Sequence, residues 1–421
     1  MFHGRAADDH FPTPGRGVQP GSPASCQGRY RVSCRFEWSV GDAGDPAELV
    51  SAFLSRNGLR VRDLGRTATQ FHPIGAGEPC GAALYVSASA GSVMVGGPPG
   101  APSPVPGIPD VVAVVHVHDG AADQSLSVMG ACAIPPDDSG GFAPGAGPEQ
   151  WRIGPWRDSW SRSEHAAAVS AAREAIGRGD IYQVNVVGHS SAPYTGDPRA
   201  ALNRVAGLPG ARYGGVLSGS GWALATASPE TLVEVRDGRV VTRPIKGTRP
   251  ATARGRRELL ASAKERAEHI MIVDLERNDL ARLDAVGPVR VDELFGVRRW
   301  CELWQAESVV SAPIEGRLDL ADLLRAMCPP GSVTGAPKRS ALAEIARLEP
   351  VGRGAGMGAL GWVGTDHVDL GVSIRTAAVD GDRVHLWAGG GITWDSDPYA
   401  EVDEAAAKAA PMRAALSGVP R

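Results

Sequence analysis

The chain has 421 residues, 43% of them apolar and 21% charged, so it can bury a large core and is neither fibrous nor broadly disordered. Its formal net charge of −4 provides no basic surplus for a nucleic acid or an anionic membrane, and aromatic residues make up only 5% of the chain. These properties favour a small-molecule substrate and exclude nucleic acid and membrane as expected partners.

The cysteines and the N-terminal segment indicate where in the cell the protein is expected. The six cysteines form no CxxC pair and have no regular spacing, which argues against a zinc cluster or a disulfide framework. The N-terminal segment lacks the apolar stretch of a signal peptide, and no run approaches the roughly 18 apolar residues of a spanning helix. We therefore expect a soluble, cytoplasmic protein.

Composition divides the chain into three parts. Residues 1–28 are rich in Gly, Pro, Ser and Arg and predict a disordered leader. Residues 29–150 alternate short apolar stretches with Gly- and Pro-rich breaks, end in a linker-like segment and contain no chemical motif, so they predict a separate N-terminal subdomain. Residues 155–416 are more regular and predict the catalytic core.

Within the core, Ser163 is the predicted N-cap of a helix that ends at Gly177 and Gly179, and a strand over Ile181–Val187 follows. Asp237-Gly238 predicts a hairpin between strands 231–235 and 239–243. Further helices are predicted over 264–282, 337–348 and 398–416, and strands near 359–363, 370–377 and 383–388. This mixed order favours an α+β architecture over strict βαβ alternation.

Lysine is rare in this chain, since only four of the 43 Lys and Arg residues are lysines, at positions 246, 264, 338 and 408. A lysine can lose its proton and act as a nucleophile or base, which a guanidinium cannot do. Lys246 lies in RPIKGTRP, directly after the predicted hairpin, where Pro244 and Gly247 restrict the backbone. A solvated loop lysine is the alternative interpretation.

Glu230 lies in SPETLVEV, where Pro229 fixes the backbone just before an apolar strand. Burial at such a position would raise the pKa of the carboxyl enough for proton transfer. The alternative is an ordinary exposed glutamate at a strand edge.

Two acidic clusters have the residue types that bind hard cations. Glu401 and Glu404 are three residues apart on one predicted helix face, with Lys408 one turn further, and Glu265 and Glu268 repeat this spacing. Carboxylates without cysteine suit Mg²⁺, which accepts one or two protein carboxylates and completes its shell with water and a ligand anion. Ordinary surface helix faces are the alternative.

Other candidates concern anion binding and polar contacts. Arg375 lies on a predicted strand, where burial would require a carboxylate partner, either a ligand or a structural salt bridge. Gly389, Gly390 and Gly391 follow a predicted strand, either as a close backbone approach to a ligand or as a simple turn. Gln183 and Asn185 share one side of a strand and either line a site or form a hydrogen-bonded core pair.

Eight segments in order between residues 181 and 408 resemble the chorismate-utilising enzymes: IYQVN, SPETL, PIKGTRP, EHIMIVDLERNDL, CPPGSVTGAPKRSALAEI, LEPVGRG, GVSIRT and AGGGITWDSDPYAEVDEAAAK. Within that family the chain is most similar to the aminodeoxychorismate synthase component I branch, with the anthranilate synthase component I branch nearby. The resemblance implies a large α+β fold in which two antiparallel sheets form a sandwich with helices outside and a Mg²⁺–chorismate site inside.

The resemblance also implies roles for individual residues. Glu268, Glu401 and Glu404 would hold Mg²⁺, and Arg375 would bind the enolpyruvyl carboxylate of chorismate. The remaining substrate contacts would come from Gln183, Thr334, Gly335, Gly389, Gly390, Gly391 and Lys408.

The resemblance also implies that Lys246 selects the reaction, because the other branches of the family carry a small residue at that position. By resemblance, the Lys246 amine adds at ring C2, Glu230 protonates the departing C4 hydroxyl, and ammonia from a glutaminase partner then attacks C4. The expected product is 4-amino-4-deoxychorismate, a precursor of para-aminobenzoate and folate. An anthranilate, isochorismate or salicylate synthase and a catalytically lapsed chorismate-binding subunit are the alternatives.

Two positions depart from the family pattern. Gln305 replaces a common histidine, and Gly356 replaces a tyrosine that would contact the substrate. Because glutamine cannot act as a general acid, proton delivery would depend more on Glu230 or water.

Overall fold

A computed structural model describes residues 30–64, 76–118, 132–134 and 151–418. The predicted leader and the linker-like segment at 135–150 lie outside these residues. The described strands are β1 Tyr30–Trp38, β2 Pro79–Val86, β3 Val111–His118, β4 Cys132–Ile134, β5 Arg152–Ile153, β6 Arg157–Asp158, β7 Gln183–Thr195, β8 Tyr213–Gly219, β9 Trp222–Ser228, β10 Thr231–Arg236, β11 Arg239–Arg243, β12 Ile245–Pro250, β13 Arg290–Trp300, β14 Leu303–Pro313, β15 Gly335–Ala336, β16 Ala359–Gly364, β17 Val368–Val372, β18 Thr376–Asp380 and β19 Arg383–Ile392.

Helices lie between these strands. The described α-helices are α1 Pro46–Arg56, α2 Ala88–Met94, α3 Arg162–Arg178, α4 Arg199–Ala206, α5 Ala253–Ala261, α6 Ala263–Ala281, α7 Leu320–Met327, α8 Lys338–Leu348 and α9 Pro398–Ser417. None of them has the length and apolar character that a bilayer-spanning helix needs.

The strands form two large sheets. The first has ten strands in the order β1-β3-β2-β16-β17-β10-β11-β14-β12, with β13 also paired to β14. The second has nine strands in the order β15-β7-β19-β18-β9-β8-β4, with β5 and β6 paired to β7. Among the described strands, β4 and β8 pair in parallel and the other pairs are antiparallel.

An apolar core joins the two sheets. Leu84 and Leu370 of the first sheet belong to the same buried cluster as Leu217 and Leu224 of the second. Burial of this much apolar surface is the main favourable contribution to folding. The α+β class and the two-sheet sandwich predicted from the sequence are therefore confirmed.

Helices cover the outer face of the second sheet. Leu202 of α4 and Met412 of α9 pack in one apolar cluster, and Val169 of α3 and Ile345 of α8 pack in another. Helix α6 packs against β12 and β14 of the first sheet. Helices α6 and α9 thus come from different layers and both reach the seam between the sheets.

The predicted start of α3 is wrong by two residues. Ser161 is the N-cap and forms a capping box with Glu164, because its hydroxyl accepts from the Glu164 backbone and the Glu164 carboxylate accepts from the Ser161 backbone. Gly179 ends the helix in the left-handed conformation, as predicted. Gly177 lies inside the helix, where Trp394 packs over it.

The helices and the hairpin that short sequence patterns predicted are present in the structure. Helices α6, α8 and α9 occupy the predicted segments, and β10 and β11 form the hairpin around Asp237-Gly238. The single strand predicted over 370–377 is wrong, because the chain leaves β17 after Val372 and enters β18 at Thr376. The strand predicted over 383–388 continues to Ile392, since it pairs with β7 along that length.

The predicted boundary near residue 150 stays a prediction from the sequence. Strands on both sides of it share the first sheet, since β2 pairs with β16 from Val86–Ala359 to Gly81–Gly364. The N-terminal strands therefore extend the same sheet that carries part of the site described below.

Candidate active site

Two connections cross between the sheets side by side. The chain passes from β9 to β10 at Pro229-Glu230 and from β17 to β18 through residues 373–375. The Val372 amide donates a hydrogen bond to the Glu230 carbonyl at 3.0 Å, and the Ala227 amide donates to the Arg375 carbonyl at 3.0 Å. These bonds hold Glu230 and Arg375 together at the seam.

Arg375 does not lie on a strand, contrary to prediction. Its φ of 53° is in the left-handed region, which a non-glycine residue adopts at a cost. Its guanidinium carbon lies 4.7 Å from the Trp300 ring centroid, and its Nε has no hydrogen-bond partner. Burial lowers the pKa of Arg375 to about 10, although Glu230 acts in the opposite direction. No carboxylate forms a salt bridge with it among the described residues, which leaves it available to an anionic ligand.

Lys246 is fixed on β12. It pairs with Ala306 of β14, and the register shifts at Gly247, whose φ is +72°. The Lys246 side chain is 8% exposed, and its Nζ lies 3.3 Å from Glu268 Oε1. The interpretation of Lys246 as a solvated loop residue is therefore wrong.

Glu230 is also buried, with 2% of its surface exposed. Burial raises the pKa of its carboxyl to about 7, although Ser332, Lys246 and Arg375 act to lower it. The exposed strand-edge alternative is wrong. A carboxyl that titrates near neutral pH can both donate and accept a proton under ordinary conditions.

The three consecutive glycines lie within β19 and not in a turn after it, because they pair with β7 from Asn185 to Val187. A Cβ on Gly391 would lie 2.3 Å from Gln183 Nε2, 2.6 Å from Lys246 Nζ and 2.8 Å from Glu268 Oε1. The bare Gly391 backbone is thus what lets these three polar groups converge. Gly390 faces the other way, toward Glu401 and Lys408.

Two helices form the opposite wall of the cleft. Glu265 and Glu268 come from α6, and Glu401 and Glu404 come from α9. Three lysine–glutamate pairs lie in or at the edge of this wall: Lys246 Nζ to Glu268 at 3.3 Å, Lys264 Nζ to Glu401 at 3.8 Å and Lys408 Nζ to Glu404 at 2.7 Å.

The carboxylates of this wall repel one another. Burial raises the pKa of Glu401, and Glu404 raises it further. Burial likewise raises the pKa of Glu265, where Arg249 opposes the shift and Glu268 and Glu404 add to it. Burial also acts to raise the pKa of Glu404, but Lys408 holds it below the usual value. A cation placed among these groups would relieve the repulsion.

The donor set fits a hard cation by its chemistry. The ionisable oxygens that line the cleft belong to glutamates, and no cysteine or histidine of the described ranges lines it. In the described part of the chain, no three His, Cys, Asp or Glu side chains are close enough to form a preassembled metal cluster. Lysine ammonium groups pair with Glu268, Glu401 and Glu404 instead.

Some predicted substrate-binding residues do not line the cleft. The Thr334 hydroxyl donates to the Pro330 carbonyl at 2.8 Å, and a Cβ on Gly335 would lie 2.2 Å from the Gln183 carbonyl. Ser332 and Val333, just before them, line it. The Gln183 side chain faces Gly391 and has no hydrogen-bond partner within the described part of the chain, so the hydrogen-bonded core pair is also wrong.

Sequence reasoning missed Lys264 and Trp387 as cleft residues. The scarcity of lysine could have identified Lys264, since three of the four lysines line the cleft and the fourth, Lys338, pairs with buried Asp279 behind it. Trp387 had no sequence signal. It packs over Gly356, where a Cβ would lie 2.9 Å from the Trp387 Cβ.

A buried lysine and a buried carboxyl with a raised pKa line one cleft at the seam of a two-sheet sandwich, opposite a wall of carboxylates and lysines. This arrangement is typical of an enzyme for a small anionic substrate. Residues 141–414 match the model of the chorismate binding enzyme family, and the chain belongs to that family.

Two groups of curated relatives are similar to this chain. Aminodeoxychorismate synthase component 1 of Klebsiella aerogenes is 38% identical over 256 residues, which cover 59% of this chain and 57% of that protein. Anthranilate synthase component 1 of Streptomyces coelicolor is 39% identical over 269 residues, which cover 62% of this chain and 53% of that protein. The chain thus spans about half the length of the curated relatives it matches.

Solved structures support the fold. Anthranilate synthase component I from Streptococcus pneumoniae superposes with a TM-score of 0.70 over 96% of this chain and 95% of that one, at 24% identity. The menaquinone-specific isochorismate synthase MenF from Escherichia coli has a TM-score of 0.58 over 95% of this chain and 96% of that one, at 17% identity. At these identities the likeness shows the fold alone.

Proposed function

We propose that this protein converts chorismate and ammonia into 4-amino-4-deoxychorismate, with Lys246 as the covalent nucleophile. One observation supports this assignment above the others: the buried Lys246 amine and the Glu230 carboxyl, whose pKa is about 7, both line the same cleft. By the resemblance described above, a lysine at this position separates aminodeoxychorismate synthases from the other branches of the family.

In the first proposed step, the Lys246 amine forms a bond to ring C2 of chorismate. The ring double bonds shift, the C4–oxygen bond breaks, and the hydroxyl leaves as water with the proton of Glu230. Because burial raises the pKa of Glu230 to about 7, the carboxyl can carry the proton that it donates in this step.

In the second proposed step, ammonia attacks C4 and the bond between Lys246 and C2 breaks. The Glu230 carboxylate accepts the proton that the new C4 ammonium group loses, and Lys246 returns to the free amine. Over the cycle the C4 hydroxyl is exchanged for an amino group and one water is released. Holding the amine and the acid in fixed positions at the seam orients them toward the substrate. Such orientation can lower an activation barrier by about 7–11 kcal/mol.

The remaining cleft residues are suited to holding the substrate dianion. No described carboxylate pairs with the Arg375 guanidinium, so we assign it the enolpyruvyl carboxylate. Lys408 donates to the Gly389 carbonyl at 2.9 Å and pairs with Glu404, which fixes a second cation at the cleft. Gln305 and Trp387 line the same space.

Mg²⁺ is the proposed cofactor. Glu268, Glu401 and Glu404 would hold it, and it would supply positive charge for the ring carboxylate and for charge that develops as the hydroxyl leaves. The ammonia donor would be a separate glutaminase, because the relatives named above are each the first component of a synthase.

Product analysis tests the proposal. The protein is incubated with chorismate, Mg²⁺ and ammonium, with and without a glutaminase subunit and glutamine, and the products are identified by mass spectrometry. We expect 4-amino-4-deoxychorismate. Anthranilate would instead assign the protein to the other group of relatives. Isochorismate or salicylate would show that the enzyme does not aminate chorismate. Absence of any product would contradict an enzymatic role.

A further inference from the structure

Lys264 differs from the other two cleft lysines in how it is held. Lys246 is 8% exposed on β12, and Lys408, at 14%, also donates to the Gly389 carbonyl. The Lys264 side chain is 43% exposed, and its nearest carboxylate, that of Glu401, lies 3.8 Å away. Lys264 can therefore leave its carboxylate for solvent at little cost in burial.

The position of Lys264 is not explained by the stability of its helix. It is the second residue of α6, whose N-cap is Ser262. The N-terminus of a helix carries a partial positive charge, so an ammonium group in the first turn is unfavourable and an acid such as Glu265 is favourable. The compensating interaction for Lys264 is with Glu401 of α9, the other helix of the same wall.

Among the three proposed Mg²⁺ ligands, Glu401 has a pKa that is raised, so its ionised form requires a nearby cation. Burial and the neighbouring Glu404 both disfavour its ionised form, while Lys264 and Lys408 favour it. A dication that bound the three glutamates would take over this neutralisation. It would then repel the ammonium of Lys264, because two cations cannot share one carboxylate at contact distance without a large repulsion.

We propose that Lys264 is a displaceable counter-cation, which neutralises Glu401 until Mg²⁺ takes its place. This inference rests on the proposed function only through the Mg²⁺ site. It means that the affinity for Mg²⁺ is set by competition with a lysine of the same chain. Removal of that lysine should therefore tighten Mg²⁺ binding, whereas loss of a residue that helps to hold the metal would weaken it.

The test is isothermal titration of the EDTA-treated, dialysed full-length protein with MgCl₂ at pH 8, without chorismate. Lys264→Gln should lower the Kd for Mg²⁺ by about threefold to tenfold, as expected when one competing charge is removed. Lys264→Arg keeps the charge and should bind Mg²⁺ within twofold of the parent. At a fixed Mg²⁺ concentration, the rise in Tm should also be larger for Lys264→Gln than for the parent.

Arg254→Gln is the matched control, because Arg254 lies on neighbouring α5, is 84% exposed and pairs with Glu258. Arg254→Gln changes the net charge by the same amount as Lys264→Gln. A similar gain in Mg²⁺ affinity in this control would show that the effect comes from the overall charge of the protein, and would overturn the proposal. Unchanged or weaker binding by Lys264→Gln, with a parent that binds Mg²⁺, would also overturn it and leave the metal site intact. If neither parent nor variants bind Mg²⁺, the metal site itself is wrong and the inference is overturned with it, whatever product the enzyme forms.

Discussion

The two walls of the cleft hold their ionisable groups by different means. The sheet wall holds Glu230 and Arg375 at the two crossings between the sheets, and both side chains are almost fully buried. The helical wall holds Glu401 and Glu404 on α9, where they face lysines and remain nearer to solvent. In the sheet wall, burial is the main cause of the shifted pKa values. In the helical wall, ion pairs with lysines act against the effect of burial.

This difference has a chemical consequence. Burial moves the pKa of Glu230 up to about 7, so this wall can keep a proton in place for transfer. In the other wall, Lys408 holds the pKa of Glu404 below its usual value, so that carboxylate stays charged and can bind a cation. The sheet wall is therefore suited to chemistry and the helical wall to holding charged ligands, and five variants test this division.

The largest expected effect is that of Lys246→Ala. Without the amine no adduct can form at C2, so we expect kcat to fall by at least about 10³-fold, in line with the loss of a covalent nucleophile. Chorismate binding should change by less than about fivefold, since Arg375 and Lys408 remain. Steady-state product formation and calorimetric titration with chorismate measure the two quantities.

Lys246→Arg is the control for charge. It keeps a cation near Glu268, but a guanidinium stays protonated and cannot attack carbon. It should therefore be as inactive as the alanine variant. Recovery of turnover in the arginine variant would mean that position 246 contributes charge and not a bond.

Glu230→Gln is expected to have the next largest effect, a fall in kcat of about 10²–10⁴-fold, because the amide cannot supply the proton. In the parent, the active form requires protonated Glu230. The kcat/KM profile should therefore decline as pH rises through about 7, where the carboxyl of the free enzyme ionises. A pH profile that is flat from 6 to 8.5 in the parent would contradict the assignment.

Stability distinguishes this loss from misfolding. Because burial raises the folded-state pKa of Glu230 above its usual 4.5 to about 7, its favourable contribution is complete below pH 4.5 and is lost as pH rises through 7. Glutamine cannot ionise and avoids that loss. Glu230→Gln should therefore be more stable than the parent at pH 8.5, by up to ~2 kcal/mol, and similar to it near pH 4.5, as measured by urea unfolding.

The sequence predicts the helices of the cleft better than the chain crossings at the seam between the two sheets. Helices α6 and α9 have local caps and carry their glutamates at a spacing visible in the sequence, and Asp237-Gly238 indicates its own hairpin. The crossing at Arg375 has no such signal, because the apolar residues on both sides of it read as one strand. Only pairing with different partners, β16 for Val372 and β9 for Thr376, separates β17 from β18.

The same limit applies to the other errors. Gly389–Gly391 were expected just after a strand, as a close approach to a ligand or as a turn, but pairing with β7 keeps them in the sheet. Lys264 gave no site signal beyond its rarity, since Glu401 comes from a helix far along the chain. Thr334 was assigned to the substrate by resemblance, whereas its hydroxyl is bound to the Pro330 carbonyl. Long-range pairing decided the positions of the glycines and of Lys264, whereas a local hydrogen bond decided that of Thr334.

The smallest expected effect compares two neighbouring glycines, Gly391 next to Lys246 of the sheet wall and Gly390 next to Glu401 of the helical wall. In Gly391→Ala the added methyl would lie within 2.8 Å of Gln183, Lys246 and Glu268, so three side chains, the nucleophile among them, would have to move at once, and we expect kcat/KM to fall by about 10- to 100-fold. In Gly390→Ala the nearest atom is Glu401 Oε2 at 3.0 Å, the end of a side chain that can move, so the fall should stay below about threefold. Steady-state kinetics with both variants at saturating Mg²⁺ give the ratio. Equal losses would mean that the helical wall is as rigid as the sheet wall, and would contradict the division between them.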